Sequence, residues 1–412
     1  MRRILSRSLE VVGFGASMGV PRRSLLRAGA AAFLPAGRGS DAPVVAASSF
    51  DPWIEVDPAN LRHNVREIAR RVAGRPILAV IKNNGYGLGV VNAGRVLEPE
   101  PAVHGFAVVK LAEALALRDA GVRKPVLLMG PFDESDLALV VARDVMPMVY
   151  TPIGGMLERI AQRNGRPVPI HVCVDTGIGR VGVPHGQAAA LIRDLAGRAS
   201  VRIEGVMMTF TEDPAFDPEQ LARFQSLCSS LVAEGVRLGK RHAASSFGLF
   251  QRPDAFLDMV RPGMALYGIY SETEFRGTNV LDLRPAVSLK ARVIYVKQLR
   301  AGESAGYNRA YRAERDVWVA TLPVGHADGL PRVAAKGGRV RIGTRLYPLI
   351  ASVSASHSIV EIGPEPEVAV GDVASYFDAQ DGSRPEDLAA ACGSSVYDLT
   401  MHLNPLLPRR VV

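Results

Sequence analysis

The sequence has few cysteines and no long apolar run. Its three cysteines, Cys173, Cys228 and Cys392, are odd in number and far apart, which excludes a disulfide framework and a CxxC zinc ribbon. No apolar run reaches the ~18 residues that a membrane-spanning helix needs. We therefore expect no disulfide-stapled scaffold and no insertion of the mature chain into a membrane.

Positive charge is concentrated at one end of the chain. The formal net charge of the 412 residues is +8, and residues 1–49 hold seven arginines and two acids, a net +5. Only +3 remains for the other 363 residues, so no nucleic-acid partner is expected. With 48% hydrophobic and 22% charged residues, the composition is that of a globular protein. At roughly 100–200 residues per domain, the length predicts two folded domains, or one large barrel with an addition.

The first 49 residues have the order of an export signal. Residues 21–36 read PRRSLLRAGAAAFLPA, in which Arg22 and Arg23 lead into a short, alanine-rich apolar stretch. This order is typical of a signal peptide, and the paired arginines are typical of bacterial twin-arginine export. We expect residues 1–49 to be a twin-arginine-type signal and the mature protein to be periplasmic. A basic, disordered N-terminus on a cytoplasmic protein is the alternative.

Short apolar runs of β-strand type alternate with segments of helical periodicity after residue 76. This alternation predicts a parallel sheet with crossover helices, such as those at residues 112–121 and 185–198. Eight such runs fit a (β/α)8 TIM barrel, whose catalytic groups lie at the C-terminal ends of the strands. An open, doubly wound sheet would give the same alternation. The predicted strands are residues 76–82, 105–109, 125–130, 146–150, 169–175, 202–210, 241–245 and 257–261.

The pattern changes after about residue 281, where alternating polar and apolar runs indicate a mostly-β domain. We therefore predict a barrel domain at residues 50–280 and a C-terminal β domain at residues 281–412. Residues 53–56 form a first predicted strand, which we expect to associate with the β domain. The strand-like runs of that domain are residues 287–299, 317–324, 339–343 and 358–363.

Lys82 ends the first predicted barrel strand. It lies in AVIKNNGYGLG and is followed by a loop with three glycines. Lysine forms Schiff bases with carbonyl compounds, and desolvation at a barrel mouth lowers its pKa enough to supply the free amine. An ordinary solvated lysine at a strand end is the alternative. Polar residues that would converge on the same mouth are Arg180, Ser245, Ser246 and Arg261.

Motifs in both predicted domains resemble those of one enzyme family. KNNGYGLG is similar to that family's KANAYGHG signature around a cofactor lysine, and AGYNRAY and VGHADGLPR are similar to segments of its second domain. Over about residues 52–412 the motifs resemble, in order, those of the fold-type III pyridoxal-phosphate enzymes, and among them the alanine racemase family. His326 stands where that family has a tyrosine. The matching positions are Lys82, Tyr86, Gly87, Gly89, Tyr307 and Tyr397.

The resemblance implies a pyridoxal 5'-phosphate-dependent isomerase that interconverts L- and D-alanine. Racemisation removes the Cα proton from one face of the amino acid and returns a proton to the other, so it needs two bases. Lys82 and Tyr307 would be this pair, while the cofactor supplies the electron sink. Arg261 would face the pyridine nitrogen, and Arg180 would contact the cofactor's phenolic oxygen and the substrate carboxylate.

The resemblance also implies a phosphate site and an assembly. Lys82 and Tyr307 lie in different predicted domains, and in the family the tyrosine reaches the lysine of the other subunit. We therefore expect a head-to-tail homodimer with shared active sites and a small amino acid as substrate. The expected phosphate-binding groups are Tyr86, Ser246, the backbone of Gly263, and Tyr397.

Three positions depart from the family pattern. Cys173 replaces a lysine that is often carbamylated in the family, and Thr209 replaces a histidine beneath the cofactor ring. Residues 354–357 read SASH where the family has CMDQ, so that Ala355 replaces a bulky methionine near the substrate. Ala355 therefore predicts a wider pocket and a broad-specificity periplasmic racemase, with neutral drift as the alternative.

Other functions of related folds were compared with the sequence. A D-threonine aldolase would need a metal pair, but His326, His357 and His402 have no ligand spacing, so no metal is expected. A decarboxylase for basic amino acids would need a catalytic cysteine, and Cys392 lies in no such motif. A non-catalytic pyridoxal-phosphate-binding protein would lack the β domain and the counterpart of Tyr307.

Overall fold

The computed structural model describes residues 50–412. The predicted signal at residues 1–49 lies outside the described residues. Among residues 50–412, no helix combines the length and the apolar character needed to cross a membrane. An α/β barrel comes first in this part of the chain, and a mostly-β region follows it.

Parallel strands build the first part of the described chain. Their order in the sheet is β2-β3-β4-β5-β6-β8-β9, and β7 pairs beside β6. In chain order the strands are β1 (Trp53–Val56), β2 (Ile77–Val80), β3 (Val103–Val108), β4 (Val126–Leu128), β5 (Val145–Val149), β6 (Val168–Asp175), β7 (Val183–Pro184), β8 (Val201–Met207) and β9 (Lys240–His242).

The sheet closes into a barrel through the segment that follows β9. Met259 bridges His242 of β9, and Val260 bridges Ile77 of β2, both in parallel. The predicted eighth strand therefore contributes only isolated bridges, because Pro262 follows at once and has no N–H to donate. The ring of parallel pairs confirms the predicted α/β barrel and excludes an open doubly wound sheet.

Helices follow the barrel strands, and two more helices lie in the second domain. The helices are α1 (Pro58–Arg71), α2 (Lys82–Tyr86), α3 (Val90–Leu97), α4 (Leu111–Asp119), α5 (Glu134–Ala142), α6 (Gly154–Asn164), α7 (His185–Ala196), α8 (Asp217–Ala233), α9 (Ser246–Gln251), α10 (Pro385–Cys392) and α11 (Val396–Met401). Helices α2 and α9 are short and lie at the C-terminal end of the barrel, and α10 and α11 are the two in the second domain.

Helix α1 shows how local sequence sets an element. The Asp57 side chain accepts from the N–H of Asn60 at 2.9 Å, and Pro58 follows at the first helical position, where proline costs no hydrogen bond. Leu61 and Ile68 lie on the buried face, at the spacing of an amphipathic helix. This cap and this apolar face start α1 and fix it against the barrel.

The second domain is built on a mixed sheet. Within residues 50–412 this sheet has nine strands in the order β11-β14-β17-β16-β15-β18-β10-β1-β19, all neighbours being antiparallel except β1 and β19. Strand β1 therefore belongs to this sheet. The remaining strands are β10 (Val287–Arg292), β11 (Tyr295–Leu299), β12 (Ser304–Ala305), β13 (Tyr311–Arg312), β14 (Val317–Leu322), β15 (Arg339–Ile342), β16 (Arg345–Ile350), β17 (Ser358–Gly363), β18 (Val373–Phe377) and β19 (Arg409–Val411).

Polar contacts, one of them fully buried, hold the C-terminal segment against the barrel. The Glu386 carboxylate accepts from the N–H of Tyr270 at 2.7 Å, and the Arg409 guanidinium donates to the carbonyl of Gly87 at 2.9 Å. Gly87 follows α2 directly. These contacts bring α11 to the C-terminal mouth of the barrel, next to Lys82.

Candidate active site

A cavity of about 670 Å³ opens at the C-terminal ends of the barrel strands. Its volume lies within the range of small-molecule sites. Seven of the predicted site residues line this cavity, and they come from five separate stretches of the chain. These residues are Lys82, Tyr86, Arg180, Ser246, Arg261, Gly263 and Tyr397.

Lys82 begins a turn with an unusual backbone. Asn83, Asn84, Gly85 and Tyr86 have φ values of 53°, 56°, 61° and 51°, all in the left-handed region. Only glycine adopts this region at little cost, and asparagine tolerates it better than most residues. The sequence Asn-Asn-Gly suits the turn, and surrounding contacts must hold Tyr86 in it.

Glu113 of α4 supplies part of that support. It is buried, and its carboxylate oxygens accept from the backbone N–H groups of Asn84 at 2.8 Å, Val109 at 3.3 Å and Lys110 at 3.2 Å. A buried carboxylate with three donors is satisfied. Glu113 therefore fixes the turn after Lys82 to the ends of the neighbouring elements.

Burial and two nearby cations lower the pKa of Lys82. Desolvation is the largest cause, and the charges of Arg180 and Arg261 add to it, while Glu113 acts in the opposite direction. A lower pKa increases the fraction of neutral amine at neutral pH, and the neutral amine is the nucleophile and the base.

One end of the cavity is a cluster of donors. The Ser246 hydroxyl oxygen accepts from the N–H groups of Gly263 at 3.0 Å and Ala265 at 3.1 Å, which leaves its hydrogen free to donate. A Cβ at Gly263 would lie 2.2 Å from the Tyr86 hydroxyl oxygen. Glycine is therefore required where the backbone passes the ring of Tyr86.

Tyr397 of α11 completes this end of the cavity. Burial, followed by the charges of Glu212 and Glu272, raises the pKa of Tyr397 to about 12, so its hydroxyl stays protonated and can donate. Helix α11 is held beside the Lys82 turn, because the Asn83 amide contacts the sulfur of Met401 at 3.3 Å.

Arg261 is buried and is held by the barrel through both terminal nitrogens of its guanidinium. Its guanidinium donates to the Met208 carbonyl at 2.9 Å, to Nδ1 of His242 at 3.1 Å and to the Thr209 hydroxyl at 3.2 Å. Burial lowers the pKa of Arg261 to about 10, which still keeps it charged near neutral pH. Thr209 thus helps to hold this arginine.

Arg180 lies on an exposed loop that a carboxylate shapes. Asp175 accepts from the N–H groups of Gly177 at 2.8 Å and Gly179 at 3.2 Å, and both glycines have positive φ. Cys173 lies behind this loop, where burial raises the pKa of its thiol to about 11. Cys173 therefore brings no negative charge to Arg180.

Tyr307 and Ala355 do not line the cavity of their own chain. The Tyr307 side chain is 75% exposed and stands between β12 and β13, where Asn308 and Arg309 have φ values of 55° and 54°. Non-glycine residues in this region cost of order 1–3 kcal/mol each and cluster at functional sites. The hairpin presents Tyr307 outward.

Ala355 is exposed in the same domain as Tyr307. The hairpin base lies against the following segment, since a Cβ at Gly306 would lie 2.6 Å from the Cβ of Ala351. Ala355 is four residues further along, and its carbonyl accepts from the N–H of Ala327 at 3.0 Å. Tyr307 and Ala355 thus belong to neighbouring, outward-facing loops.

Sequence reasoning missed Glu113 and His242. Glu113 is the third residue of α4, and an acidic residue at this position often accepts a hydrogen bond from the backbone N–H at the start of its helix, which is a signal that the sequence carries. His242 precedes the predicted Ser245 and Ser246, but nothing in the sequence marks it as a partner of Arg261. Among residues 50–412 no group of three or more histidine, cysteine or acidic side chains is placed to hold a metal ion.

A barrel with a lysine of lowered pKa at a strand end, facing two arginines, defines an α/β-barrel enzyme. The model of the alanine racemase N-terminal domain matches residues 56–271, and that of the alanine racemase C-terminal domain matches residues 286–411. The chain belongs to the alanine racemase family.

Individual relatives agree over nearly their whole length. Alanine racemases of Desulforamulus reducens and Desulfovibrio desulfuricans are 32% and 33% identical to this chain, covering 87% and 88% of it and 98% of each relative. The solved alanine racemase of a D-cycloserine-producing Streptomyces lavendulae has a TM-score of 0.82 at 28% identity, covering 88% of this chain and 97% of its own. The solved alanine racemase of Bacillus anthracis, with bound L-Ala-P, has a TM-score of 0.78 at 27% identity, and the match covers 88% of this chain and 95% of the Bacillus anthracis chain.

Proposed function

We propose that this protein racemises alanine, with pyridoxal 5'-phosphate as its cofactor. The observation that carries the proposal is that Lys82, with its lowered pKa, shares one cavity with Arg180, Arg261 and a cluster of phosphate-type donors. The match to relatives named alanine racemase over 98% of their length supports it.

The residues of the cavity fit this cofactor. The Ser246 hydroxyl accepts from two amides and has a hydrogen left to donate, Tyr397 stays protonated, and Tyr86 lies against Gly263, where a Cβ would leave no room. These donors would hold the phosphate, and Lys82 would hold the aldehyde carbon. When bound, the cofactor supplies the electron sink that makes the Cα proton of the substrate removable.

Lys82 acts on one face of the substrate. Because its pKa is lowered, its free Nζ can take the Cα proton from one enantiomer, and in the opposite direction of the reaction the protonated Nζ can deliver a proton to the same face. Arg180 would bind the substrate carboxylate at the cavity mouth. Arg261 remains charged and can only donate hydrogen bonds, so a pyridine nitrogen held against it would have to accept one and would stay unprotonated. An unprotonated ring would be a weaker electron sink, which would favour delivery of a proton to Cα.

The second base would come from another copy of the chain. Tyr307 is 75% exposed and does not line the cavity that holds Lys82 of its own chain. A head-to-tail homodimer would place the partner subunit's Tyr307 over the opposite face of the substrate. A protein that sediments as a monomer while racemising at full rate would contradict this assembly.

We further propose that the substrate range extends beyond alanine. In the dimer, Ala355 would approach the same cavity as Tyr307, and its methyl group leaves room where a methionine would reach in. An extra methylene changes binding by only ~1–3 kcal/mol in such a pocket, so graded activity on alanine, serine and longer neutral amino acids is expected. The test is kcat/KM for L-Ala, L-Ser, L-Met and L-Lys, with Ala355→Met expected to narrow the range; activity on alanine alone, unchanged by Ala355→Met, would contradict it.

Chiral chromatography tests the main proposal. The purified protein, saturated with pyridoxal phosphate, is incubated separately with L-alanine and with D-alanine. Both incubations should reach the same equal mixture, and Lys82→Ala should abolish the reaction. A protein that binds the cofactor through Lys82 but converts neither enantiomer would be a non-catalytic pyridoxal-phosphate-binding protein instead.

We propose that the enzyme is exported to the periplasm. The proposal rests on Arg22, Arg23 and the apolar stretch after them, which lie outside the described residues. Cell fractionation of the full-length chain and of an Arg22→Lys, Arg23→Lys variant tests it. The first should be periplasmic and the second retained; cytoplasmic full-length protein would contradict export.

A further inference from the structure

A second cavity, of about 390 Å³, lies at the opposite end of the barrel from Lys82. Its lining comes from the N-terminal ends of the strands, as shown by His104 near the start of β3 and Lys240 at the start of β9. The mechanism uses no residue of this cavity. Its ionisable lining residues are His104, Arg118, Arg123, Asp144, Arg166, His171, Arg202, Glu204 and Lys240.

The lining carries an excess of positive charge. Arg166 pairs with Asp144, and Arg202 pairs with Glu204. The other three cations of the lining have no carboxylate partner among residues 50–412. Arg118 donates only to backbone carbonyls, including those of Val122 at 2.7 Å and Asp144 at 2.7 Å. Among the cationic side chains of the lining, those of Arg123 and Lys240 make no side-chain hydrogen bond within the described part of the chain.

A buried histidine also presents a donor to this cavity. Arg261 donates to Nδ1 of His242, so neutral His242 carries its hydrogen on Nε2, from which it donates to Nδ1 of His171 at 2.9 Å. Burial lowers the pKa of His171 to about 3. Neutral His171 therefore carries its own hydrogen on Nε2, which has no acceptor within the described residues. His171 is 3% exposed and lines the cavity.

We propose that this cavity binds a small oxyanion of charge −2, a phosphate group either free or as a monoester. Lys240 and Arg123 supply charge that no carboxylate of residues 50–412 neutralises, and His171 supplies an N–H at the buried end. Charge-assisted hydrogen bonds of this kind are stronger than neutral ones. The bound anion would lie two histidines away from Arg261, through the His171–His242 pair.

Calorimetric titration with inorganic phosphate tests the proposal, on the holoenzyme freed of excess pyridoxal phosphate and at constant ionic strength. We expect one phosphate per chain, with Lys240→Gln and Arg123→Gln each weakening binding about tenfold or more, as expected for loss of a charge-assisted contact. Lys336→Gln is the matched control, because it removes the same charge from an exposed site in the β domain. Melting curves without phosphate verify that each variant is folded.

A parallel titration with glycerol phosphate separates the two sources of the anion. Tighter binding of glycerol phosphate identifies a phosphate monoester, and tighter binding of inorganic phosphate identifies the free ion. No saturable binding, or binding that Lys240→Gln and Arg123→Gln leave unchanged, overturns the proposal. Phosphate binding that occurs in the apoprotein but not in the holoenzyme belongs to the cavity of Lys82 and also overturns the proposal.

Discussion

Glu113→Gln tests whether one buried carboxylate holds the turn that positions Lys82. The two carboxylate oxygens of Glu113 accept from the N–H groups of Asn84, Val109 and Lys110. A glutamine of the same size has one oxygen and an NH2 group, so at least one of these N–H groups would face another donor. The substitution thus breaks the network without creating a cavity.

The expected effect follows from the number of bonds lost. A hydrogen bond to a charged group contributes about 1.5–3 kcal/mol, and losing one or two of the three should cost about 2–4 kcal/mol of folding free energy. The turn itself can also change, because Asn83, Asn84 and Tyr86 have left-handed backbones that cost roughly 1–2 kcal/mol per residue. Relaxation of the turn would regain part of that strain energy, but it would move Lys82 out of position. Both stability and affinity for pyridoxal phosphate should therefore fall.

Urea unfolding of the apoprotein and fluorescence titration with pyridoxal phosphate measure the two effects. Glu158→Gln is the control, since Glu158 is exposed and reaches Arg198 only at 3.5 Å; its effect should be below about 0.5 kcal/mol. If Glu113→Gln matches the control in both assays, the carboxylate does not hold the Lys82 turn, and the explanation given for its position is wrong.

Three further predictions follow from individual groups. Because burial and two arginines lower the pKa of Lys82 below 10.5, its rate of condensation with pyridoxal phosphate should reach half-maximum below pH 10.5 in stopped-flow measurements; a midpoint at or above that pH would contradict this. Because all three cysteines are buried and free and burial raises their pKa values, mass spectrometry should find them unalkylated by iodoacetamide at pH 8 until the protein unfolds. Gly263→Ala should weaken cofactor binding and lower the free energy of unfolding by ~1–3 kcal/mol, because its Cβ would overpack against Tyr86. At Gly186 a Cβ would meet nothing within 4 Å, so Gly186→Ala should leave the free energy of unfolding unchanged or raise it slightly. Equal effects of the two substitutions in urea unfolding would contradict the overpacking argument.

The barrel could be predicted because its strands are buried runs that end at recognisable polar residues. Runs such as residues 76–82 and 169–175 contain β2 and nearly all of β6, since apolar periodicity reports burial directly. The predicted eighth strand is not a regular strand in the structure. Met259 and Val260 form only isolated bridges, because Pro262 cannot donate a backbone hydrogen bond to the neighbouring strand. Strand length depends on backbone partners, which a pattern of side chains does not specify.

The same contrast holds within the site. Lys82 was identifiable because a charged residue ends a buried strand, and its neighbours in the cavity followed from a motif. Glu113 and His242 act through contacts between distant segments, with Asn84 in one case and Arg261 in the other. Those contacts exist only once the barrel closes.

In the proposed dimer, one active site would be formed by Lys82 of one chain and Tyr307 of another. Inactive Lys82→Ala and Tyr307→Phe chains can be mixed, exchanged under mild denaturant and assayed for interconversion of L- and D-alanine. Half of the dimers should be hybrids with one intact site of two, so activity should recover to about a quarter of the wild-type value. If the mixture shows no more activity than the two variants assayed separately, the two residues do not act in a shared site.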